Sequence, residues 1–176
     1  MNRLVLIPLL LIALVLGIFV TKNTFIQKET LTSQSTLVSN WETYTNEFFD
    51  FSIKYPGNWF VYEDEATVIL GSSKENLMKE ETSNKQLRVI VVRNSLFENQ
   101  TLEDFINFPT PPKILSEKKL SIAGSSGKEL VVDSEPRARI VYLPKGPAVY
   151  MISVTPADSE LMSIFEEMLQ SFKFAN

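Results

Sequence analysis

The stretch FDFSIKYPGNW, Phe49 to Trp59, decides how the whole chain is read. Phe49, Phe51, Ile53 and Tyr55 alternate with Asp50, Ser52 and Lys54, so an extended backbone puts an aromatic and aliphatic row on one face and a wet row on the other. Pro56-Gly57-Asn58 then stops the strand: proline has no amide hydrogen for a ladder, glycine tolerates positive φ, and asparagine bonds its own backbone. Trp59 follows at once, placed to close the end of a core.

Around this stretch Trp41, Tyr44, Phe48, Phe60 and Tyr62 add to the aromatic density, marking the start of a packed domain over residues 41–176. Upstream, residues 22–40 are rich in Ser, Thr, Asn and Gln with no sustained apolar period, and read as a polar linker. Before them, residues 1–21 hold a run from Leu4 through Leu10 to Val20 with no polar side chain. At a rise of about 1.5 Å per residue the run spans about 25 Å, enough for a helix across a slightly thin bilayer. Its Leu, Ile, Val and Phe residues favour insertion by about 4 to 8 kcal/mol. The run ends Gly17-Ile18-Phe19-Val20-Thr21-Lys22 without a small-x-small cleavage pair, which favours an uncleaved signal-anchor over a signal peptide. Arg3 favours a cytoplasmic N-terminus, so the expectation is a single-pass membrane protein with its C-terminal domain outside; the alternative is secretion after cleavage.

Composition narrows the chemistry. The chain has neither cysteine nor histidine, which removes disulfides, thiolate sites, a thiol nucleophile and the usual acid-base residue near neutral pH. With Arg3, Lys22, Lys28 and Glu29 set aside, the net charge falls from −4 for the chain to −6 for the domain, so no nucleic-acid partner is expected.

Further strands follow at short intervals. ATVIL (66–70) precedes a polar loop over 72–85, and QLRVIVVRN (86–94) carries the apolar run Val89 to Val92 of a central strand. KLSIAG and GKELVVD pair around Gly124-Ser125-Ser126-Gly127; ARIVYL and AVYMISVT pair around Pro144-Lys145-Gly146-Pro147. Two helices interrupt this meander. Thr101-Leu102-Glu103-Asp104 has a capping-box layout and its helix must end by Phe108, because PTPP follows. The last helix is expected from Asp158, with Leu161, Ile164, Phe165, Met168, Leu169 and Phe172 as its core stripe. The fold class is therefore α+β: an antiparallel sheet of about six to eight strands packed against helices.

The block FFDFSIKYPGNWFVY (48–62) resembles the opening signature of PsbP-like domains, with Phe51, Tyr55, Pro56 and Trp59 as signature residues and Asp50 in place of a glycine. The Leu-Glu-Asp-Phe helix start, the Ile-Ala-Gly-Ser-Ser-Gly-Lys-Glu-Leu pair and the closing Leu-Gln-Ser-Phe-Lys-Phe are similar too. The resemblance implies the fold of the photosynthetic PsbP proteins, the bacterial DcrB-like proteins and a Ran-binding nuclear import protein. Those relatives bind unlike partners, so the resemblance carries no function across, and none of them is a well-defined enzyme. The metal-linked histidines of the photosystem relatives have no counterpart here.

Other motifs carry little. Gly124-Ser-Ser-Gly127-Lys128 lacks the spacing and the hydroxyl of a phosphate loop, and Ser-x-x-Lys occurs twice, at Ser116 and Ser125, without its companion motifs. Carboxylate clusters such as Glu63-Asp64-Glu65 lack a calcium-loop pattern and read as solvated charge. Asn99-Gln100-Thr101 is a glycosylation sequon whose threonine already serves as a helix cap. No catalytic residue, metal ligand or cofactor is expected. The functional expectation is a membrane-anchored extracytoplasmic module binding a protein partner, with the lipid bilayer held by the N-terminal helix. Two alternatives are a small-ligand carrier with an aromatic pocket near Trp59, and a carboxylate-dependent hydrolase.

Overall fold

A computed structural model of the chain describes residues 40–78 and 83–175. The anchor expected over Leu4, Leu10 and Val20, and the linker as far as residue 39, lie outside the described residues. Among the described residues no helix is long and apolar enough to cross a membrane.

The strand read from FDFSIKYPGNW forms as β2 (Phe51–Pro56), with Phe51 and Ile53 buried and Lys54 exposed. It lies between β1 (Trp41–Asn46) and β10 (Lys173–Phe174) in a three-stranded antiparallel sheet. The chain after Pro56 does not fold back on β2. Trp59 N–H donates to the Pro56 carbonyl at 2.9 Å, Gly57 N–H donates to the Asn40 carbonyl at 2.7 Å, and the chain crosses into a second sheet. A Cβ at Gly57 would sit 3.2 Å from that Asn40 oxygen, so the crossing is tight. The expected single meander of six to eight strands is thereby corrected to ten strands in two sheets among the described residues.

The larger sheet holds β3 (Phe60–Glu63), β4 (Val68–Gly71), β5 (Arg88–Ser95), β6 (Ile114–Ile122), β7 (Ser125–Val132), β8 (Ala138–Lys145) and β9 (Ala148–Thr155). Its order is β3-β4-β5-β9-β8-β7-β6, all antiparallel, so two meanders meet where β5 pairs with β9. The central position of β5 agrees with its apolar run. Val89 and Val91 are fully buried, but Ile90 and Val92 on the other face are only half-buried.

Among the described residues three helical segments decorate the sheets: α1 (Glu75–Met78), α2 (Leu102–Ile106) and α3 (Met162–Ser171). Helix α1 is a single turn within what reads as a loop in the sequence; its buried Asn76 donates Nδ2–H to the Leu87 carbonyl at 3.0 Å. Helix α3 begins four residues later than expected. Ser159 is buried and donates its hydroxyl to the Asn84 and Gln86 carbonyls at 3.0 and 2.9 Å, which holds the chain in a turn and leaves Asp158 and Glu160 outside the helix.

The expected stripe of α3 does reach the core. Phe165, Met168, Leu169 and Phe172 are buried between one face of the large sheet and the small sheet, with Phe51 stacked on Phe172 at 5.5 Å. Tyr150, in the same cluster, donates its hydroxyl to the Phe49 carbonyl at 2.7 Å and so ties the two sheets together. The opposite face of the large sheet is covered more thinly. There Leu130, Val132, Tyr142 and Val149 meet Ile106 of α2, with Leu102 and Phe105 beside them.

Helix α2 starts where the sequence places it. Thr101 Oγ1 accepts from Asp104 N–H at 3.1 Å and Asp104 Oδ2 accepts from Thr101 N–H at 2.9 Å, a closed capping box. Thr101→Ala is expected to lower the unfolding free energy by about 1 kcal/mol. Urea denaturation checks this; a change indistinguishable from zero would show that α2 contributes nothing to global stability.

Candidate interaction surface and buried ion chain

Phe51, Pro56 and Trp59 are buried, and Tyr55 is half-buried with its hydroxyl donating to Glu42 Oε2 at 2.8 Å. Pro56 and Trp59 lie at the crossing between the sheets, whereas Phe51, at the other end of β2, packs against Tyr44, Tyr150 and Phe172. Trp59 belongs to the main core cluster and lines neither of the two clefts described below.

The first cleft, about 630 Å³, lies where β7 turns into β8 and β9 leads to α3; Asn84, Asp133, Glu135, Arg137 and Asp158 are among its lining residues. A hydrolytic pair needs one carboxyl that keeps its proton near neutral pH. Asp133 is shifted the other way: Lys113 Nζ stands 2.5 Å from it and holds its carboxyl below the usual range. The second cleft, about 440 Å³, lies between α2 and the β6–β7 hairpin, with Leu102, Lys119 and Lys128 in its wall. Lys128 Nζ sits between Glu103 at 2.5 Å and Glu117 at 2.9 Å, which raises its pKa and cancels its charge. Among the described residues no group of three or more Asp or Glu is arranged to hold a metal ion. The Glu63-Asp64-Glu65 cluster is used locally: Glu63 accepts from the Tyr44 hydroxyl at 2.5 Å, and Asp64 Oδ1 accepts from Ala66 and Thr67 N–H at 2.9 and 2.8 Å. Burial and the Glu63 hydrogen bond push the Tyr44 hydroxyl up to about 12.

A chain of charges that sequence reasoning missed runs under α3. Lys118 Nζ is 3.0 Å from Glu129 Oε1, Glu129 Oε2 is 2.5 Å from Arg139 Nη2, and Arg139 Nη1 donates to Glu166 on α3. Glu129 and Arg139 are buried, and the Arg139 guanidinium also lies over the Phe165 ring at 5.2 Å. Arg139 holds the Glu166 carboxyl below its ordinary value, and the two carboxylates in turn raise Arg139 against the opposing effect of burial. A signal was present: in ARIVYL, Arg139 shares a strand face with Val141 and Leu143, which are core residues, and a charge in a core row needs a partner.

The apolar surface is uneven. On the connection between β5 and β6, Phe97 is 75% exposed and Phe108 is 71% exposed, and Ile114 and Leu115 at the start of β6 are exposed as well. Among the described residues strand β6 is the last of its sheet, so its outer edge has no strand partner among them.

No family model matches the chain, and no curated protein matches it. Among solved structures, the solution structure of cyanobacterial PsbP (CyanoP) from Synechocystis sp. PCC 6803 is similar with a TM-score of 0.52 at 12% identity, covering 80% of this chain and 95% of that one. A protein of unknown function, PA94 from Pseudomonas aeruginosa, aligns with a TM-score of 0.45 at 14% identity, covering 75% of this chain and 95% of that one. The likeness to cyanobacterial PsbP is one of fold: a large antiparallel sheet packed against helices.

Proposed function

We propose that the chain is a membrane-anchored, extracytoplasmic PsbP-like module that binds or assembles with a protein partner at the membrane surface. The observation that carries this reading is two exposed aromatic side chains, Phe97 and Phe108, on the β5–β6 connection, where the exposed Ile114 and Leu115 follow; Phe48, on the β1–β2 connection, is exposed as well. Exposed aromatics are the side chains that anchor protein interfaces. Support for the membrane setting comes from the apolar run through Leu4, Leu10 and Val20, which holds the N-terminus in the bilayer with its end in the cytoplasm.

The test is photo-crosslinking in native membranes, with a photoreactive phenylalanine at Phe97 or Phe108 and at the exposed Thr43 as control. One reproducible protein adduct from the two aromatic positions and none from Thr43 is expected. A smear of bulk membrane proteins from all three would defeat the reading.

A further inference from the structure

We infer that the outer edge of β6 pairs with the same strand of a second copy of the chain, antiparallel and centred on Lys118. The strand runs Ile114-Leu-Ser-Glu-Lys-Lys-Leu-Ser-Ile122 at the end of the seven-stranded sheet, and is exposed from Ile114 through Lys119. An antiparallel two-fold pairing keeps each face of the sheet continuous, so residues opposite one another must share a face. Centring on Lys118 satisfies that condition and also the charges. Glu117 then stands opposite Lys119 of the second copy, and Lys119 opposite its Glu117. Both side chains lie on the α2 side, because Glu117 faces Leu130 and Lys119 faces Lys128 in the β6–β7 register.

Neighbouring registers are poorer on charge: centring on Lys119 sets two lysines that have no ion pair among the described residues face to face, and centring on Glu117, which is itself paired with Lys128 at 2.9 Å, sets two glutamates face to face and leaves Lys119 opposite Leu115. In the register proposed, the two central Lys118 side chains are each already neutralised by their own Glu129 at 3.0 Å. Lys119 has no ion pair among the described residues, and the second copy supplies one. Toward the ends, Ser116 meets Leu120, and the exposed Ile114 and Leu115 are brought over the Ile122 and Ser121 end of the other strand. The register shift between Ile114 and Ser116 confines the regular ladder to its central part.

Edge lysines commonly discourage such pairing. Here the strand's acid and base are placed so that a copy of itself is the strand it accepts, whereas an unrelated strand meets Lys119 uncompensated. The pairing is short, and two chains held in one membrane plane favour it by concentration rather than by area.

The absence of cysteine makes the test clean. Across the proposed axis two copies of residue 118 stand about 5 Å apart, within disulfide reach, whereas two copies of residue 121 stand about 20 Å apart. Oxidation of the full chain carrying Lys118→Cys in its membrane is expected to give a covalent homodimer, and Ser121→Cys is expected to give little. Adding Glu117→Lys to Lys118→Cys should lower the dimer yield roughly tenfold, and adding Lys119→Glu as well should restore it. Circular dichroism of each purified variant confirms folding. Equal yields at 118 and 121, no dimer from the folded Lys118→Cys chain, or no rescue by the double charge exchange would each overturn the pairing. Adducts at Phe97 and Phe108 are read separately, so failure here leaves the hetero-partner reading to its own experiment.

Discussion

Replacing Arg139 with methionine is expected to lower the unfolding free energy by about 3 to 5 kcal/mol, because it leaves Glu129 as a buried carboxylate without its main counter-charge. Lys118 still reaches Glu129, but with 59% of its side chain exposed it is hydrated and compensates weakly, which points to the lower end of that range. The Glu166 contact and the packing over Phe165 are lost in the same step. Changing Glu129 to leucine alongside Arg139→Met should recover most of the loss, since a matched apolar pair of similar volume carries no buried charge. Urea melts of the two variants decide it: a loss below about 1 kcal/mol for the single change, or no recovery in the double, contradicts the account. Acid adds a second readout. The Glu166 carboxyl titrates below its ordinary 4.5 in the folded chain, so its stabilising contact with Arg139 is complete above that pH and fades as the pH falls through the lower folded value. The stability gap attributable to Glu166 therefore narrows on acidification.

The second large effect belongs to Gly127. A Cβ there would stand 2.2 Å from the Tyr142 carbonyl oxygen and 2.9 Å from Leu143 Cδ2, and the first of these is backbone of the adjacent strand β8, which cannot rotate away. Gly127→Ala should cost about 3 kcal/mol, since the β7–β8 ladder must spread to admit one methyl. Gly124→Ala makes the contrast. No atom lies within 4 Å of a Cβ at that turn, and its cost is the left-handed backbone at φ +77°, about 1 kcal/mol. Thermal or urea unfolding of the two variants should rank them in that order; equal losses would show that the contact at Gly127 relaxes.

The contrast between these glycines also measures how far the sequence could be read. GKELVVD and KLSIAG were legible as a strand pair, but their turn is Ala123-Gly124, with both residues at positive φ, rather than the four residues from Gly124 to Gly127. Nothing in a Gly-Ser-Ser-Gly string reveals that Ser125 is buried, donating its hydroxyl to the Pro144 carbonyl at 2.6 Å, or that Gly127 is needed for the approach of β8. Alternation gave β2 and its buried row, because a two-residue period is a local property. The destination of the chain after Asn58 was not local: a proline-glycine turn looks the same whether it reverses a strand or sends it into another sheet. Spacing likewise placed α2 and the stripe of α3. The turn before α3 was missed because Ser159 is held by carbonyls 75 and 73 residues away. Arg139 and Glu129 were legible as charges in core rows, yet only the register of β7 on β8 and the position of α3 make them partners.

The small sheet has an implication for how the domain comes into being. Strand β2 is flanked by β10, Ser171 Oγ accepts from Lys54 N–H across a separation of 117 residues, and Ala175 N–H donates to the Asp50 carbonyl. As synthesis proceeds, the aromatic ring of Phe51 has no Phe172 to stack on until almost every other described residue has been made. Closure of the small sheet therefore waits on residues 171–175, more than a hundred positions after β2, so the aromatic row of β2 is made long before the strand and helix that cover it.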